Sequence, residues 1–435
     1  MRKGLNYIII VLLIFSFVLP VQNVQADSFK TKAESAIMVD FDTGKVLYAK
    51  NEDEALPPAS MTKMMTEYIV LEKIAEGEID WDTTTEISDF VYEISANESF
   101  SGIGLRQNVE YTVKQLFEAM VINSDNATSI ALAELIAGSE GEFVKLMNEK
   151  AEELGLHDSK FVNSTGLDNE SLDGKHPEGT GATDTNLLSA RDAAKLAYHL
   201  INDFPDSLET SSIPSTEFEG HTILNWNWML PHDSENLAQF YYEGVDGLKT
   251  GHTDLAKYAF TSTAERDGTR LITVVMKTDS MEERFIETAK LLDYGFDKFS
   301  EVELFPAGYT KDGQSTVSVA KGKETEVSVA IDEAISLKIR NGTEEDYDIV
   351  YELDESRVND DGELIAPIEK GEVVGVAKVV YKDSTEIPHI TNPNKEITVD
   401  LVATEEVKKK NWFSLMLNSI GNFFSSLGSK IKGIF

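Results

Sequence analysis

The chain has no cysteine. That absence excludes a disulfide framework, a thiolate metal site and a cysteine nucleophile. Basic residues are scarce: 39 Lys and Arg stand against 76 Asp and Glu, for a formal net charge of -37. So acidic a body repels the phosphate backbone, and no nucleic-acid partner is expected. The seven histidines are His157, His176, His199, His221, His232, His252 and His389, and none makes an H-E-x-x-H or other close ligand pair. No D-x-D-x-D-G calcium loop occurs either. Neither a metal nor another cofactor is expected. A long hydrophobic run is also missing. The apolar stretch at residues 7–19 is shorter than the roughly 20 residues that cross a bilayer. It follows Arg2 and Lys3 and leads to Val24-Gln25-Ala26, the pattern of an export signal cut after Ala26. Its loss would remove two positive charges and leave a net charge near -39.

What is present fits a folded chain of two domains. The 435 residues are 41% hydrophobic and 26% charged, an ordinary globular balance. Residues 27–299 mix helical and strand patterns. Residues 36–41 and 45–50 read as strands around the turn Asp42-Thr43-Gly44. A helix is predicted over residues 60–74, entered through Pro57-Pro58-Ala59. Further helical patterns cover residues 113–137, 184–200 and 281–292, and strands cover 249–253, 258–263 and 271–277. From residue 300 the pattern becomes short and alternating, which predicts a β domain to residue 403. Residues 404–435 form a linker and a tail. Residues 408–435 hold five Lys and no acid, with apolar residues at spacings of three and four. That is an amphipathic helix suited to lying on an anionic membrane surface.

Three short patterns carry chemistry. In Ser60-Met61-Thr62-Lys63 the serine and lysine sit three apart and share a helix face. A serine hydroxyl needs a base to become a nucleophile, and a lysine serves once burial or a neighbouring cation lowers its pKa. In Ser124-Asp125-Asn126 the serine can relay a proton and Asn126 can hold a substrate amide. In Lys249-Thr250-Gly251 a cation and a hydroxyl at a strand edge can grip a carboxylate, and the glycine admits a close backbone. Each pattern alone is common in unrelated chains. Their order, their spacing of about 60 and 125 residues and their contexts together are not.

The trio resembles the serine β-lactamases and penicillin-binding proteins. More closely, the chain resembles the low-molecular-mass D-alanyl-D-alanine carboxypeptidases, peptidase family S11. Residues 36–296 carry this likeness, through 42–47, Pro57-Pro58-Ala59-Ser60-Met61-Thr62-Lys63, 161–167, Ser189-Ala190-Arg191-Asp192, 244–253 and 290–296. The resemblance implies an α/β (α+β) transpeptidase-like domain, an antiparallel sheet with helices on both faces. It also implies a small β-sandwich, an amphipathic anchor and a place on the outer face of the cytoplasmic membrane. Ser60 would form the acyl-enzyme, Lys63 would activate it, and Ser124 and Asn126 would complete the relay and hold the amide. Lys249, Thr250 and Gly251 would bind the substrate end. The backbone N–H groups of Ser60 and His252 would form the oxyanion hole. Arg284 stands where the family holds an arginine near the terminal carboxylate, whereas Arg191 reads as structural. The implied partners are the peptidoglycan stem peptide and β-lactams as covalent inhibitors. The rival readings are a D,D-endopeptidase, a β-lactamase or a catalytically silent wall-binding protein.

Three departures from the family pattern bear on substrate preference. Ala127 follows Asn126 where Asp is frequent. Lys257 replaces a small residue, commonly Gly. Residues 173–185 read as an insertion rich in Gly and acidic groups.

Overall fold

The computed structural model describes residues 29–382, 389–392 and 395–411. The predicted export signal and nearly all of the predicted tail helix lie outside these residues. One compact unit begins at Ala33.

Five strands form the central sheet: β1 (Ser35–Asp40), β2 (Val46–Lys50), β3 (Val245–Thr253), β4 (Lys257–Arg266) and β5 (Thr269–Thr278). Their order is β2-β1-β5-β4-β3, with every neighbour antiparallel. β3 is therefore an edge strand. The six helices that matter are α1 (Lys63–Ala75), α2 (Val113–Ile122), α3 (Asn126–Ala137), α4 (Glu140–Glu153), α5 (Ala190–Asp203) and α6 (Met281–Lys298). Register explains the layering. Ile37 pairs Val274 and Val39 pairs Ile272, so all four point to one face. There they meet Met61, Met64 and Met65 at the start of α1 and Leu196 and Leu200 of α5. α6 covers the other face, where Phe260 meets Phe285 edge-on at 5.4 Å. The sheet with helices on both faces is as expected.

Local boundaries depart from the sequence pattern for identifiable reasons. The predicted helix from residue 60 opens as a 3-10 turn, Ala59–Thr62, and becomes α-helical only at Lys63. Ala59 has φ 48, so the chain enters through a sharp bend and the first turn is tight. The helical stretch 113–137 is cut in two. α2 starts with a reciprocal Thr112–Gln115 cap, and α3 starts with the Asp125 side chain accepting from Thr128 N at 2.6 Å. Ser124, between them, has φ 63. The stretch predicted from residue 184 becomes helical only at Ala190, because Ser189 caps it there. The preceding residues instead bridge in extended form, Leu187 to Lys160 and Leu188 to Leu56.

α6 leads directly into the β-rich region. Its strands are β6 (Phe299–Phe305), β7 (Thr316–Ala320), β8 (Glu326–Ile331), β9 (Ile335–Arg340), β10 (Tyr347–Leu353), β11 (Leu364–Ile365), β12 (Val373–Tyr381) and β13 (Thr398–Ala403). They form a six-stranded sheet, β10-β12-β13-β8-β7-β11, and a separate pair, β6-β9. Two apolar clusters fill it, one around Val327, Val329 and Leu401 and one around Ile339, Ile349 and Val379. Among the described residues no helix is long and apolar enough to cross a membrane.

The two regions meet through buried polar contacts. Lys338 Nζ lies 2.6 Å from the fully buried Asp40 carboxylate. Lys45 Nζ donates to Lys338 O and Tyr347 Oη, each at 2.9 Å. Burial brings Lys45 down to about 8, and the Asp40 charge only partly opposes this. Between that value and the ordinary lysine range the unfolded chain holds a proton that the folded chain has released. Stability from this group therefore rises as pH climbs above about 8. The expected result is a melting temperature that falls less, or rises more, between pH 8 and 10 in the wild type than in Lys45→Met. Identical profiles would refute it.

Candidate active site

The 3-10 turn sets the central pair. In such a turn residues three apart eclipse each other, so Lys63 lies over Ser60. Lys63 is buried, and its Nζ stands 3.0 Å from Ser60 Oγ, 2.8 Å from Asn126 Oδ1 and 2.7 Å from Thr165 O. Asn126 cannot be turned round without loss, because its Nδ2 donates to Ser101 O at 3.1 Å. A neutral amine has two N–H donors and one lone pair. Asn126 Oδ1 and Thr165 O take the two donors, and the lone pair is left facing the Ser60 hydroxyl. Burial, then the charge of Lys249, hold Lys63 well below the ordinary lysine range, against the carboxyls of Asp125 and Glu140. Both geometry and charge favour the basic form.

Thr165 belongs to a loop that sequence reasoning quoted only as part of a resemblance. Its backbone is fixed by buried side chains. Asn163 Oδ1 accepts from Gly166 N at 2.7 Å and Thr165 N at 3.2 Å, and Glu140 accepts from Ser164 N at 2.9 Å and Oγ at 2.6 Å. Asn186 Nδ2 ties the loop to Thr62 Oγ1 at 2.9 Å. The signal was the run Asn163-Ser164-Thr165-Gly166, rich in side chains that bond to backbone.

Gly166 has φ +87, and a Cβ on it would stand 1.9 Å from Ala59 O and 2.9 Å from Ser60 N. The loop thus presses on the peptide that carries the nucleophile. Gly166→Ala is expected to displace Ser60 and its N–H and to slow acylation about a hundredfold, as losing one oxyanion donor does. Stopped-flow acylation by a fluorescent penicillin would read this; a rate within threefold of wild type would contradict it.

The edge strand closes the site from the other side. A Cβ on Gly251 would meet Pro58 O at 2.3 Å, so the third motif lies directly against the entry to the nucleophile. Ser60, Ser124, Asn126, Thr250, Gly251, His252 and Arg284 line one cleft of about 170 Å³. Its remaining walls are Ser99, Phe100, Ser101, Leu167, Trp226 and Met281, none of them singled out from sequence. Trp226 is held by its Nε1 donating to Asn123 O at 2.9 Å. Only Lys63 and Lys249, of the predicted site residues, lie behind the cleft wall. Lys249 is 3% exposed, and among the described residues its Nζ reaches only Thr250 O, at 3.5 Å. Burial, then the Arg284 charge, lower it to about 7, against Glu67.

Arg284 is 2% exposed, which separates it from an ordinary surface-helix arginine. Its Nη1 donates to Gly251 O at 3.1 Å, and its guanidinium lies over the rings of Phe285 and Tyr258. Burial lowers it to about 10, so it stays a cation at neutral pH. The His252 ring stacks on Tyr258 at 4.2 Å and its Nδ1 faces Lys257 O at 3.0 Å. The ring is stacked yet exposed, as suits a residue whose predicted part is played by its backbone. Arg191 pairs with Glu52 and Asp53, away from the cleft.

The departures can also be placed. Lys257 has φ 54, a conformation that glycine adopts at lower cost. Its side chain turns to the exposed Asp279, 2.7 Å away, and not into the cleft. None of residues 173–185 lines the cleft. Asn169 ties that segment down through Thr180 Oγ1 and Gly181 O, and Glu178 packs on Gly141 of α4.

A serine beside a buried amine held well below the ordinary lysine range, a cleft that Arg284 helps to line and an antiparallel sheet edge define a serine acyl-transfer enzyme of the penicillin-binding class. The comparisons narrow the class. Residues 21–280 match the D-alanyl-D-alanine carboxypeptidase family, and residues 299–409 match the C-terminal domain of penicillin-binding protein 5. D-alanyl-D-alanine carboxypeptidase DacF of Bacillus subtilis is 31% identical over 428 residues, 97% of this chain and 99% of that protein. PBP3 of Streptococcus pneumoniae, described as a peptidoglycan synthesis regulatory factor, is 35% identical, with a TM-score of 0.66 over 87% of this chain and 100% of that one. Penicillin-binding protein D2 of Listeria monocytogenes in its ampicillin-bound form is 30% identical, with a TM-score of 0.52 over 62% of this chain and 99% of that one. The chain belongs to the D-alanyl-D-alanine carboxypeptidase family, peptidase S11.

Proposed function

We propose that Ser60 is the nucleophile of a serine-type D-alanyl-D-alanine carboxypeptidase that trims the stem peptide of peptidoglycan. The activity itself follows from the family. The observation that carries the residue assignment is the buried Lys63 Nζ, 3.0 Å from Ser60 Oγ and held there by contacts to Asn126 Oδ1 and Thr165 O.

The chemistry then runs in two halves. The substrate carboxylate settles at Thr250 and Arg284, within the field of Lys249. Ser60 Oγ attacks the carbonyl carbon of the penultimate D-Ala while its proton passes to Lys63 Nζ. The oxyanion is held by the N–H groups of Ser60 and His252, where preorganised donors contribute most. The proton moves through Ser124 to the leaving nitrogen, the C–N bond breaks and D-Ala departs. Water attacks the ester in the second half and gives a proton to Lys63 Nζ, which passes it to Ser60 Oγ as the acyl C–O bond breaks and the shortened peptide leaves. A β-lactam offers a strained amide beside a carboxylate and acylates Ser60 by the first half alone. The ampicillin-bound relative supports this part.

Residues 27–299 are proposed as the catalytic domain and 300–403 as the β-rich domain. Residues 1–26 are proposed as the export signal and 408–435 as the membrane anchor of an extracytoplasmic wall enzyme. The first experiment is mass spectrometry of diacetyl-L-Lys-D-Ala-D-Ala after incubation. Loss of one alanine is the expected result. An intact monomer alongside cleaved cross-linked dimers would shift the reading to an endopeptidase, and fast penicillin turnover would shift it to a β-lactamase.

A further inference from the structure

Most of the cleft is lined by hydroxyl, amide and backbone groups, yet Trp226 stands among them with its indole more than a third exposed. The chain on either side of it is fixed. Asn225 and Asn227 are both buried. Asn225 Nδ2 donates to Ser211 O at 3.1 Å and to Ile213 O at 2.9 Å, and its Oδ1 accepts from Asn227 N at 2.9 Å. Asn227 Oδ1 accepts from Met229 N at 3.1 Å. Burial alternates from Ile223 to Asn227, and with both asparagines turned inward Trp226 is turned out. A large apolar ring held rigidly at an open surface is a candidate contact for a ligand.

Two anchors place the indole along the cleft. Its Nε1 donates to Asn123 O at 2.9 Å, and Asn123 Nδ2 donates back to Leu224 O at 3.2 Å. Asn123 immediately precedes Ser124, the residue that hands a proton to the leaving nitrogen. On the other side, Trp228 stacks on Phe285 at 5.4 Å, and Phe285 immediately follows Arg284, the cation for the terminal carboxylate. Trp226 thus joins the two residues that bracket the leaving D-Ala, at its nitrogen and at its carboxylate. Phe100 and Leu167 stand elsewhere. They belong to segments that hold Asn126 and Lys63, beside the acyl half of the substrate.

We propose that Trp226 is a specificity-determining residue: its indole is the wall against which the side chain of the leaving residue packs, and it selects a methyl group there. The proposal rests on the reading of the cleft as a D-Ala-D-Ala site with the carboxylate at Thr250 and Arg284. With nitrogen and carboxylate both fixed, the side chain on the leaving Cα has one direction left for a given hand. A rigid ring in that direction favours a methyl by contact, gives nothing to a glycine and obstructs a longer branch. Because the ring is already held in place, the contact costs little ordering when substrate binds. Without Trp226 the cleft would read the two ends of the leaving residue and not its side chain.

The test compares kcat/KM of wild type, Trp226→Ala and Trp226→Phe on diacetyl-L-Lys-D-Ala-D-Ala and on the same peptide ended by Gly or by D-Leu. Wild type should prefer D-Ala to Gly by about tenfold, the usual effect of one methyl in an apolar contact, and should prefer D-Ala to D-Leu as well. In Trp226→Ala the D-Ala to Gly preference should fall to about twofold or less, and D-Leu should gain about tenfold relative to D-Ala. Trp226→Phe keeps an aromatic wall and loses the N–H to Asn123, so its D-Ala to Gly preference should stay within about threefold of wild type. Unmoved ratios in Trp226→Ala, with every substrate slowed alike, would overturn the proposal and leave the indole a brace for Asn123 and Ser124. So would a wild type that takes Gly as readily as D-Ala. A preference that falls as far in Trp226→Phe as in Trp226→Ala would overturn it too, since the hydrogen bond and not the wall would then set the selection. Wild type that releases none of the three end residues would overturn the carboxypeptidase reading itself, and this proposal with it.

Discussion

Ser60→Ala is expected to lose at least about 10⁴-fold in kcat/KM on the D-Ala-D-Ala peptide, as removal of a covalent nucleophile does elsewhere. No other hydroxyl can take its place. Ser124 also lines the cleft, but the Asn126 and Thr165 contacts of Lys63 leave the amine's lone pair for Ser60. The variant should fold normally, because the lost Oγ lines an open cleft and water can replace its contact with Lys63 Nζ. An unchanged melting temperature with no measurable alanine release is therefore the expected pair of results. Residual activity above about 1% of wild type, measured on protein free of wild-type contamination, would rule out Ser60 as the nucleophile.

Lys63→Met is expected to come close behind, with a loss of about 10³ to 10⁴-fold. Methionine fills similar space without an amine. It leaves Asn126 Oδ1 and Thr165 O without their donor, which should also cost about 1–3 kcal/mol of stability. Thermal melting separates that cost from the catalytic one. The wild-type pH profile adds a signed test. Lys63 acts when neutral, so kcat/KM should rise with pH as its proton leaves. Its pKa is low first because it is buried and second because Lys249 is charged. Removing that charge in Lys249→Gln should raise the Lys63 pKa and move the ascending limb to higher pH. A limb that stays in place would mean that burial alone sets the base.

Much of this site was legible because the chemistry is local. Ser60 and Lys63 share a turn, and no tertiary knowledge is needed to see that they touch. Asn126 and Lys249 were legible only as members of a trio, and their parts came out differently. Asn126 holds Lys63 as well as facing the cleft, and Lys249 stands behind the wall. Neither fact has a sequence period, since both depend on how α3 and β3 approach α1. Thr165 contributes a carbonyl oxygen, which no side-chain motif records. In the fold, the helix α4 was not read at all, while most predicted elements were of the right type with shifted boundaries. The reasons were capping by Asp125 and Ser189 and the bend at Ala59, each a local bond that competes with the apolar pattern. The acid-rich insertion and Lys257 had raised doubt about the pocket, and both turn away from it.

The central claim is that a nucleophile activated by Lys63 sits at position 60. Tryptic mapping of the protein after exposure to benzylpenicillin tests it most directly. The account predicts one penicilloyl adduct per chain, on the peptide that contains Ser60 and on that serine within it. An adduct confined to any other residue, or none on the correctly folded wild type, would contradict it.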